Sequence, residues 1–294
     1  MNGAVGGAAA RNGHLVIIGG GEDRSDDKEV LTKFIELCGG TDSKIVVVTA
    51  ASRVPEKMWD IYDQAFGDLG VSDRRPIHIA SRAEANDPAT AQLVAQADGI
   101  FLTGGDQRRL LAMIGGSALD EAMHHALCRR GACIGGTSAG ASAMSGHMLA
   151  DGKVDLQPEK GAVNLGAGLG FLQRVIIDQH FSERHRLARL LSVVAQNPYL
   201  HGIGIDEDTA LIVERGTGIE VTGRGTVTVV DGRHVVSNVS DIRNRSCPEL
   251  IDVRLHLLPS GSRYSFGAPP GDACEPPAAL RYFLDIITQR TAQS

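Results

Sequence analysis

Along the first half of the chain, short apolar runs alternate with segments of helical period. Residues 14–20 (HLVIIGG), 44–50 (KIVVVTA), 75–80 (RPIHIA), 98–105 (DGIFLTGG) and 131–136 (GACIGG) are β-branched or aliphatic and end in glycine or another small residue. Between them, residues 28–38, 56–69, 89–97 and 107–113 are amphipathic. Runs that are apolar throughout, separated by helices, predict strands covered on both faces and hence a parallel α/β sheet. Right-handed crossovers then place every strand's C-terminal end on one edge, where open α/β sheets bind their ligands. The glycine-rich ends after Ile18, Leu102 and Ile134 should gather there.

The pattern changes after Gly202. Residues 202–207 (GIGIDE), 209–214 (TALIVE), 218–223 (GIEVTG), 226–232 (TVTVVDG) and 234–240 (HVVSNVS) are closely spaced strand-like runs joined by glycine-containing turns. They predict antiparallel hairpins appended to the parallel core. Residues 252–258 read as a further strand, 267–277 (GAPPGDACEPP) as loop and 280–288 as a terminal helix. Residues 1–12 read as a flexible tail, and 13–294 as one α/β domain with a hairpin extension, since neither a repeat nor a linker interrupts them.

Composition narrows the class. An apolar fraction of 43% with no apolar run of membrane-spanning length describes a globular chain that does not enter a bilayer. A formal net charge of −6 without a long basic block argues against a nucleic-acid partner, whose binding rests on clustered Lys and Arg. Five cysteines, Cys38, Cys128, Cys133, Cys247 and Cys274, are odd in number and irregular in spacing, so they read as reduced thiols of a cytoplasmic protein and not as a disulfide framework or zinc site. The N-terminus lacks the basic-then-apolar form of a secretory signal.

The strongest chemical signal is GGTSAGAS at residues 135–142, where Gly136, Ser138 and Gly140 fit G-x-S-x-G between a predicted strand and a helix-forming run. Small residues on both sides permit the sharp turn that lifts a serine hydroxyl out of the sheet edge, and the next backbone N–H can stabilise an oxyanion. A serine needs a base. His180 follows the apolar run VIIDQ, which ends at the same predicted edge, and it opens the helix-like segment 181–194 (FSERHRLARLLSVV). Within that segment Leu187, Leu190, Leu191 and Val194 form a buried stripe by spacing. For the acid that orients the histidine, Asp206, Glu207 and Asp208 follow a strand-like run, while Asp151 and Asp155 lie between Ser138 and His180 in the chain. Spacing alone leaves these open. GGGED at residues 19–23 has Arg24 where a dinucleotide-binding loop needs its third glycine, which argues against a Rossmann site, and there is no P-loop.

Five ordered blocks, GGGED (19–23), LTGGDQRRL (102–110), GTSAGAS (136–142), IDQHFSERHRLARL (177–190) and GIGIDEDTALIV (202–213), together resemble the cyanophycinases, serine exopeptidases similar to peptidase E. That resemblance implies a three-layer α/β sandwich akin to class I glutamine amidotransferases, with a mainly parallel central sheet. It implies Ser138 as nucleophile, His180 as base and Glu207 as acid, with Ala139 and Gly105 supplying oxyanion N–H groups. Gln107, Asp178, Gln179, Arg184, Arg186 and Arg189 match the family's substrate pocket. Guanidinium groups suit substrate carboxylates, and Asp178 and Gln179 suit substrate guanidinium groups. The implied substrate is cyanophycin, a poly-aspartate bearing arginine on each side-chain carboxyl, cleaved from its end to β-Asp-Arg by a homodimer without metal or organic cofactor. Two other readings share the serine motif: a peptidase E-like Asp-X dipeptidase, and a non-catalytic binding module of the same fold.

Overall fold

The computed structural model describes residues 13–152, 155–267 and 273–289. Five strands, β1 (His14–Ile18), β2 (Ile45–Val48), β3 (Arg74–Ile77), β4 (Gly99–Leu102) and β5 (Cys133–Thr137), run parallel in the order β3-β2-β4-β5-β1. Helices α1 (Glu29–Cys38), α2 (Pro55–Asp68), α3 (Arg82–Ala85), α4 (Pro88–Ala95), α5 (Gln107–Ile114) and α6 (Ala118–His125) fill the crossovers, and α7 (Ala139–Ala143) follows β5 directly. Local chemistry sets several of these starts. Asp106 caps α5 by accepting from the amides of Arg108 and Arg109, and Asp87 caps α4 ahead of Pro88.

The chain continues through β6 (His147–Gly152), β7 (Val163–Ala167), β8 (Val175–Gln179), α8 (Leu187–Gln196), β9 (His201–Ile205), β10 (Thr209–Glu214), β11 (Gly218–Gly223) and β12 (Thr226–Asp231). Two short strands, β13 (Val236–Ser237) and β14 (Leu250–Ile251), precede β15 (Arg254–Pro259), β16 (Arg263–Ser265) and α9 (Ala278–Ile287). The antiparallel strands after β9 are not appended as one unit. β10 pairs with β1, and β11 and β16 extend the same large sheet, whereas β12 and β15 join the parallel pair β8-β9 in a second sheet of four strands. Asp206, where the chain leaves β9, ties parts of the second sheet together: one carboxylate oxygen accepts from the Ser182 amide and the other from the amide and hydroxyl of Thr226.

Alternation along β1 divides the core. Val16 and Ile18 face α1 and α2, where Phe34, Tyr62, Phe66 and Phe101 cluster, with Phe34 and Phe101 edge to face at 5.3 Å. Leu15 and Ile17 face the opposite side, packing with Leu110, Ile114 and Met123 and with Ile177, Ile203 and Val229 of the second sheet. The outer face of that sheet is covered by α8 through Val193, Leu190 and Val194.

Three local expectations differ. Residues 181–186 form successive turns, so α8 begins only at Leu187; Leu187 is exposed, and the buried positions are Ala188, Leu190, Ser192, Val193, Val194, Ala195 and, against its chemistry, Arg189. His234 lies in the turn after β12, not in a strand. The tail expected at residues 1–12 and part of the loop expected at 267–277 lie outside the described residues. No described helix is long and apolar enough to cross a membrane.

His201 on β9 is fully buried between the rings of Tyr282 and Phe283, with no hydrogen bond to either ring nitrogen and Asp231 Oδ1 3.7 Å away. Burial pushes it down to about 4, against the pull of Asp231, while Arg233 and His256 nearby reinforce the depression. A folded-state value below the unfolded one means that stability is lost as pH falls from the unfolded value of about 6.5 towards the folded one. Between pH 7 and pH 5 this group alone should remove about 2 kcal/mol. Denaturant titrations of wild type and His201→Phe at both pH values should show the variant gaining on wild type at pH 5; an unchanged difference would exclude His201 as the source.

Candidate active site

The serine turn is built at the end of β5. Ser138 has φ 51° and ψ −110°, a sparsely populated backbone region that persists only where neighbours over-determine it. Its amide donates to Ile18 O at 3.1 Å, and Gly140 lets α7 close on β4, since a Cβ there would fall 2.3 Å from Leu102 O. His180 follows β8 and also has a positive φ, 48°, with its amide bound to Gly19 O at 2.7 Å. Glu207 lies in the turn between β9 and β10.

These three side chains meet. Ser138 Oγ is 2.9 Å from His180 Nε2, and His180 Nδ1 is 2.5 Å from Glu207 Oε1. With Nδ1–H donating to the carboxylate, Nε2 is left to accept the serine proton, the tautomer a general base requires. The competing acids are engaged elsewhere. Asp206 accepts from Ser182 and Thr226, Asp208 accepts from the Asp23 amide and pairs with Arg224, and Asp151 accepts from Arg108 and Asn164. Asp155 lines a groove beside Leu156 and Leu187.

Donors for an oxyanion lie alongside. Gly104 packs against the serine, a Cβ there falling 3.5 Å from Ser138 Cβ. In the same turn the Asp106 amide is committed to Ala51 O at 3.0 Å, whereas no described backbone acceptor takes the N–H of Gly105 or Ala139. Both amides are therefore available at the strand ends that flank the hydroxyl.

The residues expected to line the substrate pocket behave differently from one another. Asp178 is 1% exposed and carries both arginines: Arg189 grips it through Nε at 2.9 Å and through Nη2, and Arg186 Nη1 reaches it at 3.1 Å. Arg186 also donates to Gln179 Oε1 at 3.0 Å and to its backbone carbonyl, and Arg189 to Gly152 O at 3.3 Å. Asp178, Gln179, Arg186 and Arg189 thus bind one another in a buried network instead of presenting free arms. A carboxylate withdrawn from water needs such pairing, and β8 places it opposite α8 where both guanidinium groups reach it. Burial pushes Arg186 down to about 10, which leaves it charged at neutral pH. Gln107 donates to the carbonyls of Leu149 and Ala150, tying α5 to β6. Arg184 is exposed on the turn after His180, and its guanidinium has no partner among the described residues.

The motifs did not single out Glu22. It is buried under the serine turn, with Thr137 Oγ1 2.6 Å from its carboxylate. An acid directly after three glycines, ahead of a strongly polar stretch, reads as a turn residue. Among the described residues no cluster of three His, Cys, Asp or Glu could hold a metal ion.

A serine hydroxyl, an imidazole and a carboxylate in hydrogen-bonded sequence at the edge of an α/β sheet are the groups of an acyl-transfer enzyme. The chain belongs to peptidase family S51, whose model matches residues 15–221. A cyanophycinase from Geminocystis herdmanii is 38% identical over 252 residues, covering 85% of this chain and 93% of the relative. Cyanophycinases from Synechococcus elongatus and Trichormus variabilis are 36% and 34% identical, covering 87% and 85% of this chain and 80% and 84% of their own. Among solved structures, a peptidase from an acI-B1 actinobacterium shares the fold at a TM-score of 0.59 and 24% identity, covering 76% of this chain and 92% of that one. A putative peptidase E from Listeria monocytogenes shares it at 0.50 and 18%, covering 72% and 98%.

Burial lowers the pKa of His180 below its ordinary value, Glu207 opposes this, and the nearby charge of Arg184 adds to the lowering. The neutral base should therefore persist below pH 6.5, so the acid limb of kcat/KM for the free enzyme should lie below about 6.5. Removing a positive neighbour raises a histidine pKa: Arg184→Gln should move the limb to higher pH at low ionic strength, and added salt should narrow the gap. A pH–rate series on both proteins checks this, and a downward move in the variant would contradict it.

Proposed function

We propose that this S51 peptidase hydrolyses cyanophycin, with Ser138 as nucleophile in a strand-turn-helix elbow, His180 as general base and Glu207 as the orienting acid. The observation that carries the reading is the continuous Ser138–His180–Glu207 hydrogen-bond path in a chain 34–38% identical to cyanophycinases over most of its length.

Ser138 Oγ attacks a backbone carbonyl of the poly-aspartate chain while His180 Nε2 takes its proton. The negative charge that develops on the carbonyl oxygen is met by the N–H groups of Ala139 and Gly105. Protonated His180 then gives its proton to the leaving amine, and an ester to Ser138 remains. β-Asp-Arg departs from the chain end as that amine, and water, deprotonated by the same imidazole, attacks the ester and frees the shortened chain.

Each substrate residue presents both a guanidinium and a free carboxylate. Arg184, whose guanidinium has no partner among the described residues and whose charge acts on His180, suits the carboxylate. The Asp178–Arg186–Arg189 network, with Gln179 and Gln107, is assigned to the pocket wall in this reading: a prearranged surface whose charges are already oriented, in place of separate side chains that close on the ligand. The same reading takes residues 13–294 as one catalytic domain, supported by a single apolar cluster that runs from Leu15 to Ile287. A cytoplasmic location accords with five cysteines, all free. A homodimer accords with the free edge of the second sheet, where β15 exposes Leu255 and Leu257 beside Leu156 and Leu187.

Incubation with insoluble cyanophycin granules should release soluble β-Asp-Arg. Ser138→Ala should lower that rate by at least about 10⁴-fold while leaving the melting temperature unchanged within about 2 °C. Cleavage of Asp-X dipeptides with intact granules would assign the protein to the dipeptidase class instead. Binding of granules without release of dipeptide, equal in wild type and variant, would make it a binding module.

A further inference from the structure

The loop GGGED at residues 19–23 takes no part in the steps above, yet it touches every segment that supplies the relay. Gly19 O accepts from the His180 amide at 2.7 Å, Gly20 O accepts from the Asp208 amide at 2.9 Å, and the Asp23 amide donates to Asp208 Oδ1 at 2.8 Å. Gly20 has φ 97° and Gly21 φ 58°; a Cβ on the first would fall 2.3 Å from His180 Cε1, and one on the second 2.9 Å from Glu207 Oε2. The imidazole and the carboxylate therefore rest directly on this backbone, which only glycine leaves open.

The side chain that ties the loop to the serine is Glu22, which is 3% exposed. Its Oε2 accepts from Thr137 Oγ1 at 2.6 Å, and its Oε1 accepts from the hydroxyl of Tyr62 on α2. Thr137, also 3% exposed, is the last residue of β5 and directly precedes Ser138. Burial removes the water that would compete for these two hydrogen bonds. Such a clamp is what the backbone of Ser138 needs, because a strained turn relaxes unless its surroundings hold it.

We infer that Glu22 is a positioning residue for Ser138: the buried carboxylate fixes the serine turn to the loop on which His180 and Glu207 rest, and so sets the contact between hydroxyl and imidazole. It acts through Thr137 and touches no substrate. This rests on the reading of Ser138 as nucleophile, and the test separates it from the choice of substrate.

The probe is a small fluorophosphonate, in which Ser138 Oγ displaces fluoride from phosphorus and its proton passes to His180, so no polymer is required. Thr137→Val removes the donor to Glu22 at nearly constant shape, and Thr137→Ser keeps it. The valine variant should be labelled at least about tenfold more slowly than wild type, with kcat on cyanophycin reduced in step and KM within about twofold; the serine variant should return to within about twofold of wild type. Glu22→Gln, which offers one acceptor oxygen in place of two, should fall between, and it provides the same readout should the valine variant not fold. Wild-type labelling rates in folded Thr137→Val or Glu22→Gln would overturn the assignment, as would a serine variant as slow as the valine one. Wild type labelled at Ser138 but inert on cyanophycin, with the variants slowed, would sink the substrate reading and uphold this one. Wild type unlabelled at Ser138 would overturn both.

Discussion

The amide of His180 donates to the carbonyl of Gly19, and at this bond the two larger sheets meet. β1 ends one residue before the glycine and β8 one residue before the histidine, so the C-terminal ends of a main-sheet strand and a second-sheet strand are held together by a main-chain contact. Everything chemical lies within a few residues of it. Ser138 comes from β5, which pairs with β1 in register, and Glu207 from the turn after β9, which pairs with β8. A shift of either sheet along the other would separate hydroxyl from imidazole, and rates fall steeply with such displacement. The apolar packing between the sheets, through Leu15, Ile17, Ile177 and Ile203, keeps the ends level.

Much of this was legible in the chain. The apolar runs ending at Ile18, Leu102 and Ile134 reported strands buried on both faces, and right-handed crossovers then required their ends to gather. The motif around Ser138 reported its turn because the turn needs small neighbours, and the run VIIDQ placed His180 at a strand end. What periodicity cannot report is which sheet a strand joins. β9 and β10 are separated by three residues, yet one completes the second sheet and the other flanks β1. At that point Asp206 bonds to Ser182 and Thr226, contacts between residues far apart in sequence.

Charge was the other blind spot. Arg186 and Arg189 look like a solvated or ligand-seeking pair, because arginine is rarely buried. They are buried since Asp178, on the facing strand, is buried with them, and neither fact is visible without the other. Burying an ion pair is costly, and its retention is weak evidence of stability. Its effect here is geometric: two guanidinium groups and a carboxylate, bonded through several atoms, cannot reorient independently. Leu187 illustrates the converse. Its spacing fits the apolar stripe, but α8 starts at that residue, and Leu187 is exposed while Ala188, Arg189 and Leu190 of the same turn are buried.

The division between sheets gives the site two mechanical supports. Ser138 and the amides of Gly105 and Ala139 follow β4 and β5, whereas His180 and the Asp178 network ride on β8 and α8. The turn that carries the hydroxyl and the buried network near the imidazole are thus held by different sheets joined at one seam. Remodelling the second can change what is recognised without disturbing the angle at which the hydroxyl emerges. A scaffold wired in this way is suited to acquiring new substrates by altering one half at a time.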